Sequence, residues 1–241
     1  MWHRLLAGAR AACGGRLVSG GNADRRAALQ AQRAAALAEQ LDGLLTLTGE
    51  ERALDVGAGA GALAFALAPR VREVVALEID EELANRARTD APVNVEVVVG
   101  DGEHLPFDSF SFDLAGSLRT LHHTHRPELL VAELARVTRP GGTILVVDQL
   151  APADPLAGIE LTRFEQARDP STTRVLAEVD LRGLFDSNGL VLRRELVVHE
   201  SRDLEAYLEL AGCEGVERER ARQLAPAGYE AVVGWYVLSR V

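Results

Sequence analysis

Residues 53–67 read ALDVGAGAGALAFAL, an apolar run that ends on an aspartate, turns through Gly57, Gly59 and Gly61, and becomes apolar again. Glycine reaches positive φ without a Cβ clash, so glycines this dense specify a tight turn, a close backbone approach to a ligand, or both. A short strand, that turn and a helix-patterned segment would bring backbone N–H groups and a helix N-terminus to one point. The stretch predicts the opening of a βαβ unit, with Arg52–Val56 as a buried parallel strand and Gly61–Ala68 as a helix stopped near Pro69.

The pattern then repeats. Val74–Ile79 reads as a strand, Glu81–Arg88 as a helix with Asp80 as its N-cap, and Val93–Val99 as a β-branched third strand. Asp113–Ser117 makes a fourth strand, Pro127–Thr138 a helix, Pro140-Gly141-Gly142 a turn and Thr143–Asp148 a fifth strand. Such alternation implies right-handed crossovers and an open parallel sheet. Beyond Asp148 the rhythm changes. Residues 151–173 carry three prolines and predict a partly helical insertion, a lid over an acceptor. Thr173–Asn188 reads as a helix, Leu190–Val198 as a strand, Ser201–Leu224 as mostly helical and Ala231–Val241 as a last strand, which suits an antiparallel sheet edge.

Composition narrows the partners. The chain has 241 residues, which fits one large domain over 23–241, and a net charge of -10, which disfavours a nucleic-acid backbone as partner. All 26 basic residues are arginine, so Schiff-base and P-loop chemistry through lysine are excluded. Cys13 and Cys213 lie in no metal spacing, and a reducing, cytoplasmic setting is the economical reading. No stretch approaches the eighteen or so apolar residues of a membrane span. Residues 1–22 hold three arginines and no acid and read as a flexible arm, with a targeting peptide as the other reading. Asp24–Leu44 is patterned as a helix.

The glycine loop fits the looser dinucleotide pattern GxGxxA, with Glu78 about twenty residues on. Asp55 decides against that reading. A carboxylate ending the first strand would repel a pyrophosphate, whereas it suits a ligand carrying an ammonium near the loop. S-adenosylmethionine has that ammonium and no phosphate. The alternative for Asp55 is a turn-capping carboxylate. Glu78 ends the second strand, where an acid accepts from both ribose hydroxyls, a role shared by both cofactors.

ALDVGAGAG, VVALEID, VVGDGEHLPFDSFSFD and ELARVTRPGGTILVVD occur in order, and with them residues 45–150 resemble the class I S-adenosylmethionine-dependent methyltransferases. The likeness is strongest to the small-molecule branch that includes ubiquinone/menaquinone C-methyltransferase-like enzymes. It implies a Rossmann-like, doubly wound seven-stranded sheet of order 3-2-1-4-5-7-6 with the last strand antiparallel. It also implies a cofactor site. Asp55, Gly57, Ala58, Gly59 and Gly61 would lie at the methionine part, with Ser117 at the end of the fourth strand. Glu78 and Ile79 would lie at the ribose, and Asp101, Gly102 and Glu103 at the adenine. Leu105 and Phe107 pack either on the adenine or in the core.

The fourth strand leads into RTLHHTH, at the strand ends where ligands gather in such folds. His122 and His123 are the candidate catalytic residues, as base or orienter, against the alternative of packing under the next helix. Adjacent histidines in a turn rarely converge on one ion, so no metal is expected. His104 reads as a rim residue. Ile159, Leu161 and Phe164 are candidates for an apolar acceptor pocket, Arg163 and Arg168 for an acidic group, and Trp2 and His3 for a reach from the arm.

The expected activity is methyl transfer to a small, partly apolar metabolite by in-line displacement, chiefly through proximity and orientation. An NAD-dependent oxidoreductase and a non-catalytic cofactor-binding protein are the alternatives. Acceptor identity, the atom methylated, and monomer versus homodimer stay open.

Overall fold

The computed structural model describes residues 34–226 and 229–240, so the N-terminal arm, with Trp2, His3 and Cys13, lies outside it. Residues 34–44 form helix α1. Then follow β1 (Arg52–Val56), α2 (Ala62–Leu67), β2 (Glu73–Glu78), α3 (Glu81–Asp90), β3 (Val95–Val99), β4 (Phe112–Leu118) and α4 (Pro127–Val137). The second half contains β5 (Thr138–Ala151), α5 (Pro155–Arg168), β6 (Leu176–Ala177), α6 (Glu178–Ser187), β7 (Leu190–Ser201), α7 (Leu204–Leu210), α8 (Gly215–Leu224) and β8 (Glu230–Arg240).

The strand order is β3-β2-β1-β4-β5-β8-β7, with the two-residue β6 beside the end of β5. Leaving β6 aside, this is the expected 3-2-1-4-5-7-6 arrangement. β1 to β5 run parallel, and β8 lies antiparallel between β5 and β7. Strand alternation divides the core. Leu54, Val75, Ala115, Ile144 and Val146 face α4 and α6, while Ala53, Val74, Leu114, Leu145 and Trp235 face α1 and α2. A third cluster, with Leu161, Phe164, Tyr207, Leu208 and Tyr229, joins α5, α7 and α8 into a helical cover.

Asp80 caps α3 as expected, its carboxylate accepting from Glu82 N at 2.9 Å and Leu83 N at 3.2 Å, a contact worth about 1 kcal/mol. Two expectations are corrected. β5 takes in the Pro140-Gly141-Gly142 turn: Phe112 pairs with Thr138 and Leu114 with Thr143, so the turn forms a bulge inside the strand. The helix expected from Thr173 begins at Glu178. Thr173 instead donates its N–H to the His122 carbonyl at 2.8 Å and its hydroxyl to the His122 and Thr124 carbonyls at 2.9 and 2.6 Å. Threonine competes for backbone partners in this way outside helices. Those bonds clamp the segment after α5 onto the histidine turn.

Candidate functional site

The glycine loop runs from the end of β1 to α2. Gly57, Gly59 and Gly61 all have positive φ, at 74°, 55° and 98°. Gly57 N and Ala58 N donate to the Leu77 carbonyl at 2.8 and 3.0 Å, tying the loop to β2. A Cβ on Gly57 would lie 2.2 Å from Thr120 Cγ2, and one on Gly61 2.4 Å from the Phe65 ring. A Cβ on Gly59 would meet nothing within 4 Å, so that side of the loop is open.

Asp55 is buried beneath this loop. Its Oδ2 accepts from Ala64 N at 2.9 Å, so it caps the first turn of α2 from the neighbouring strand. Its Oδ1 has no partner among the described residues. Burial, and after it the nearby Glu78 charge, push the carboxyl up to about 7 against the single helix N–H. An orphaned carboxylate oxygen in a site without a counter-ion is costly, and a bound cation would relieve it. Ser117 lies buried on β4, beside the Gly116 that pairs with Asp55, and its Oγ is also without a partner among the described residues.

The remaining residues expected at the cofactor extend outward from there. Glu78 is buried at the end of β2, with Oε2 accepting from Gly59 N at 2.7 Å and Oε1 from Asp80 N at 2.8 Å. Each oxygen keeps a further lone pair. Ile79 is 66% exposed, a large apolar surface beside Glu78. Asp101 is exposed and accepts from Glu103 N at 2.8 Å, with His104 Nδ1 3.6 Å away. Gly102 packs so closely that a Cβ would lie 2.7 Å from Val56 Cγ1. Glu103 accepts from Arg126 N and Nε at 3.0 and 2.9 Å and ties this loop to the start of α4. Leu105 is buried in the core and Phe107 packs edge-on against Phe112 at 5.2 Å.

Thr120 connects the two ends of the site. Its Oγ1 donates to the Gly57 carbonyl at 3.3 Å, and two residues later His122 is buried in a 3-10 turn over Leu121–His123. His122 Nδ1 lies 2.5 Å from Asp148 Oδ1 on β5, and His122 N donates to Asp148 Oδ2 at 3.3 Å. Burial opposes a charged ring, but Asp148's charge and hydrogen bond outweigh it and raise the proton affinity of His122 above the usual histidine value. Burial also disfavours the Asp148 anion, and His122 together with backbone N–H donors holds it ionised, below the usual carboxylate value. The His123 ring lies 4.1 Å from that of His122, centroid to centroid, and Ser171 Oγ is 3.0 Å from its Nδ1. Burial and the neighbouring His122 lower His123 below its usual value. The two imidazoles are thus pushed apart in proton affinity, which is how acid and base roles are divided in many sites.

Several polar residues here were not singled out in the sequence. Asp148 closes the apolar run of the fifth strand in the sequence, much as Asp55 closes that of the first, a signal that was available, although β5 itself continues to Ala151. Glu165 on α5 is buried and accepts from Gln149 Nε2 at 2.9 Å, Tyr229 OH at 2.5 Å, Tyr207 OH at 3.0 Å and Arg168 Nε at 2.8 Å. Arg168, a candidate for binding an acid, is committed to this internal one. Of the apolar-pocket candidates, Leu161 and Phe164 are buried in the cover's own core, while Ile159 is half-exposed. Arg119, at the end of β4, has φ 55° and donates from Nη2 to both Glu200 oxygens at 2.7 and 3.0 Å. Left-handed backbone at a non-glycine costs on the order of 1 kcal/mol and clusters at functional sites.

A parallel sheet extended by an antiparallel edge, with an acid-terminated first strand over a glycine loop, defines the class I methyltransferase fold. Residues 54–146 match the family model of a methyltransferase domain. The fold is that of the class I methyltransferases, and the chain is similar in sequence to methyltransferases of this kind. It is 34% identical over 145 residues to the uncharacterized methyltransferase YcgJ of Bacillus subtilis, covering 58% of this chain and 57% of that one. It is 38% identical over 115 residues to the ubiquinone/menaquinone biosynthesis C-methyltransferase UbiE of Bordetella parapertussis, covering 44% and 43%. The chain thus spans about half the length of the curated relatives it matches. A crystal structure of a Bacillus halodurans protein assigned as a methyltransferase superposes with a TM-score of 0.78 at 25% identity, covering 84% of this chain and 98% of the other.

Proposed function

We propose that the chain transfers a methyl group from S-adenosylmethionine to a small, partly apolar metabolite that arrives carrying a proton. One observation carries the reading. The sheet end that bears the glycine loop and the orphaned Asp55 Oδ1 also bears an aspartate-held imidazole, with Thr120 joining the two.

The residues fit the cofactor. Asp55 Oδ1 and Ser117 Oγ offer polar atoms without partners for the amino-acid part, Gly59 leaves open space, Glu78 retains lone pairs for ribose hydroxyls, and Asp101 stands exposed for the adenine amino group. When bound, S-adenosylmethionine would supply an electrophilic methyl carbon with a neutral thioether as the leaving group. The chain's own work is orientation, exclusion of water and custody of the acceptor's proton. Asp148 engages His122 Nδ1, which leaves Nε2 to take that proton and Asp148 to stabilise the resulting imidazolium, as in other aspartate-histidine pairs. In this reading residues 151–173 serve as the lid over the acceptor end.

Calorimetry on the folded protein is expected to detect S-adenosylmethionine and S-adenosylhomocysteine at micromolar concentrations. Methyl-labelled cofactor incubated with a metabolite extract is expected to yield a labelled small molecule. His122→Ala should lose the label by about 100-fold or more while keeping S-adenosylhomocysteine affinity. Because the base must be neutral, turnover should rise with pH through the elevated His122 value. Absence of heat with both ligands overturns the reading.

A further inference from the structure

We propose that Glu165 is a positioning residue that couples the seating of the helical cover to the protonation of the His122–Asp148 pair. Its carboxylate joins β5, α5, α7 and the residue before β8, through Gln149, Arg168, Tyr207 and Tyr229. A buried ion pair is weak evidence for stability, since apolar residues of similar volume often serve as well. This one is tied to the strand that holds the candidate base. Gln149, whose amide donates to Glu165, follows Asp148 directly on β5. The chain leaving Arg168 folds onto both histidines: Asp169 accepts from Ser171 Oγ at 2.6 Å, Ser171 contacts His123 Nδ1, and Thr173 binds the His122 carbonyl.

The charges facing His122 are Asp148 from β5, Glu165 and Arg168 from α5, and His123 in its own turn, with Asp169 facing His123. Glu165 favours the imidazolium and Arg168 opposes it, so two residues one helical turn apart act with opposite sign. Burial works against the Glu165 anion, but Arg168 and the tyrosine and glutamine donors keep it ionised. The balance of these two charges, held in place by the contacts of α5, sets part of the proton affinity of His122.

The opposite signs supply the test. In the full-length protein, the His122 ring is titrated by carbon-proton NMR. Glu165→Gln is expected to lower the midpoint by about half a pH unit or more, and Arg168→Gln to raise it by a similar amount. Tyr229→Phe, which removes a donor without removing a charge, should leave the midpoint in place while lowering the melting temperature. Shifts of the first two in the same direction, or no shift in either, overturn the coupling. If Glu165→Gln fails to fold, the Arg168→Gln rise against an unmoved Tyr229→Phe decides the matter, and a fall or no change in Arg168→Gln overturns it. The catalytic consequence rests on His122 as the proton acceptor. Undiminished turnover in His122→Ala would remove that consequence and leave the titration standing, so the two failures are distinguishable.

Discussion

Replacing Asp55 with alanine is expected to weaken S-adenosylhomocysteine binding by about 100-fold or more in calorimetry. In the proposed site the variant removes the partner of the ligand's ammonium, and a truncated charged contact of this kind costs about 2–5 kcal/mol, with each 1.4 kcal/mol a factor of ten. The same carboxyl makes binding depend on pH. In the ligand-free protein it titrates at about 7, and binding an ammonium requires the ionised form. Affinity is therefore expected to rise from pH 6 to pH 8 and then level, and Asp55→Asn should flatten that profile.

Stability without ligand runs the other way. The unfolded carboxyl ionises at 3.8 and the folded one at about 7, so between these values the folded state binds more protons. Stability falls as pH rises through that window, by on the order of 4 kcal/mol in total, and Asp55→Asn removes the slope. Binding within threefold of the parent in Asp55→Ala would sink the assignment of Asp55 to the ligand.

Gly57→Ala and Gly59→Ala should separate folding from binding. The Gly57 Cβ would overlap Thr120 Cγ2, Oγ1 and Cβ at 2.2, 2.5 and 2.9 Å, in a left-handed backbone. Overpacking and strain together cost about 2–4 kcal/mol, which for a domain of this size lowers the melting temperature by roughly 5–15 °C. Gly59→Ala meets no atom within 4 Å and carries only the conformational cost, about 1 kcal/mol. Its melting temperature should drop by a few degrees while S-adenosylhomocysteine binding falls steeply, because in the proposed site the open space beside it receives the ligand. Equal melting losses in both variants, or unchanged binding in Gly59→Ala, would contradict this division.

The strand, glycine turn and helix were legible because they are local. Strand, glycines and helix follow one another within about fifteen residues, and the Asp55 carboxyl sits where the chain turns. Glu78 and Asp101 were readable for the same reason, each closing a strand or opening its loop. The start of α6 was not legible, because the bonds that hold Thr173 out of a helix go to His122 and Thr124, about fifty residues earlier.

The acceptor end shows the contrast most clearly. The sequence by itself determined an α/β sheet with an antiparallel edge, a glycine loop following an aspartate in the first strand, and a histidine pair after the fourth strand. Only the tertiary structure decided that Asp148 holds His122 across 26 positions of chain and that Glu165 is a buried carboxylate rather than a solvated helix charge. The physical reason is that hydrophobic period and turn chemistry are short-range signals. Burial and pairing of charges depend on which distant segments the fold brings together, and those set the proton affinities on which the chemistry turns.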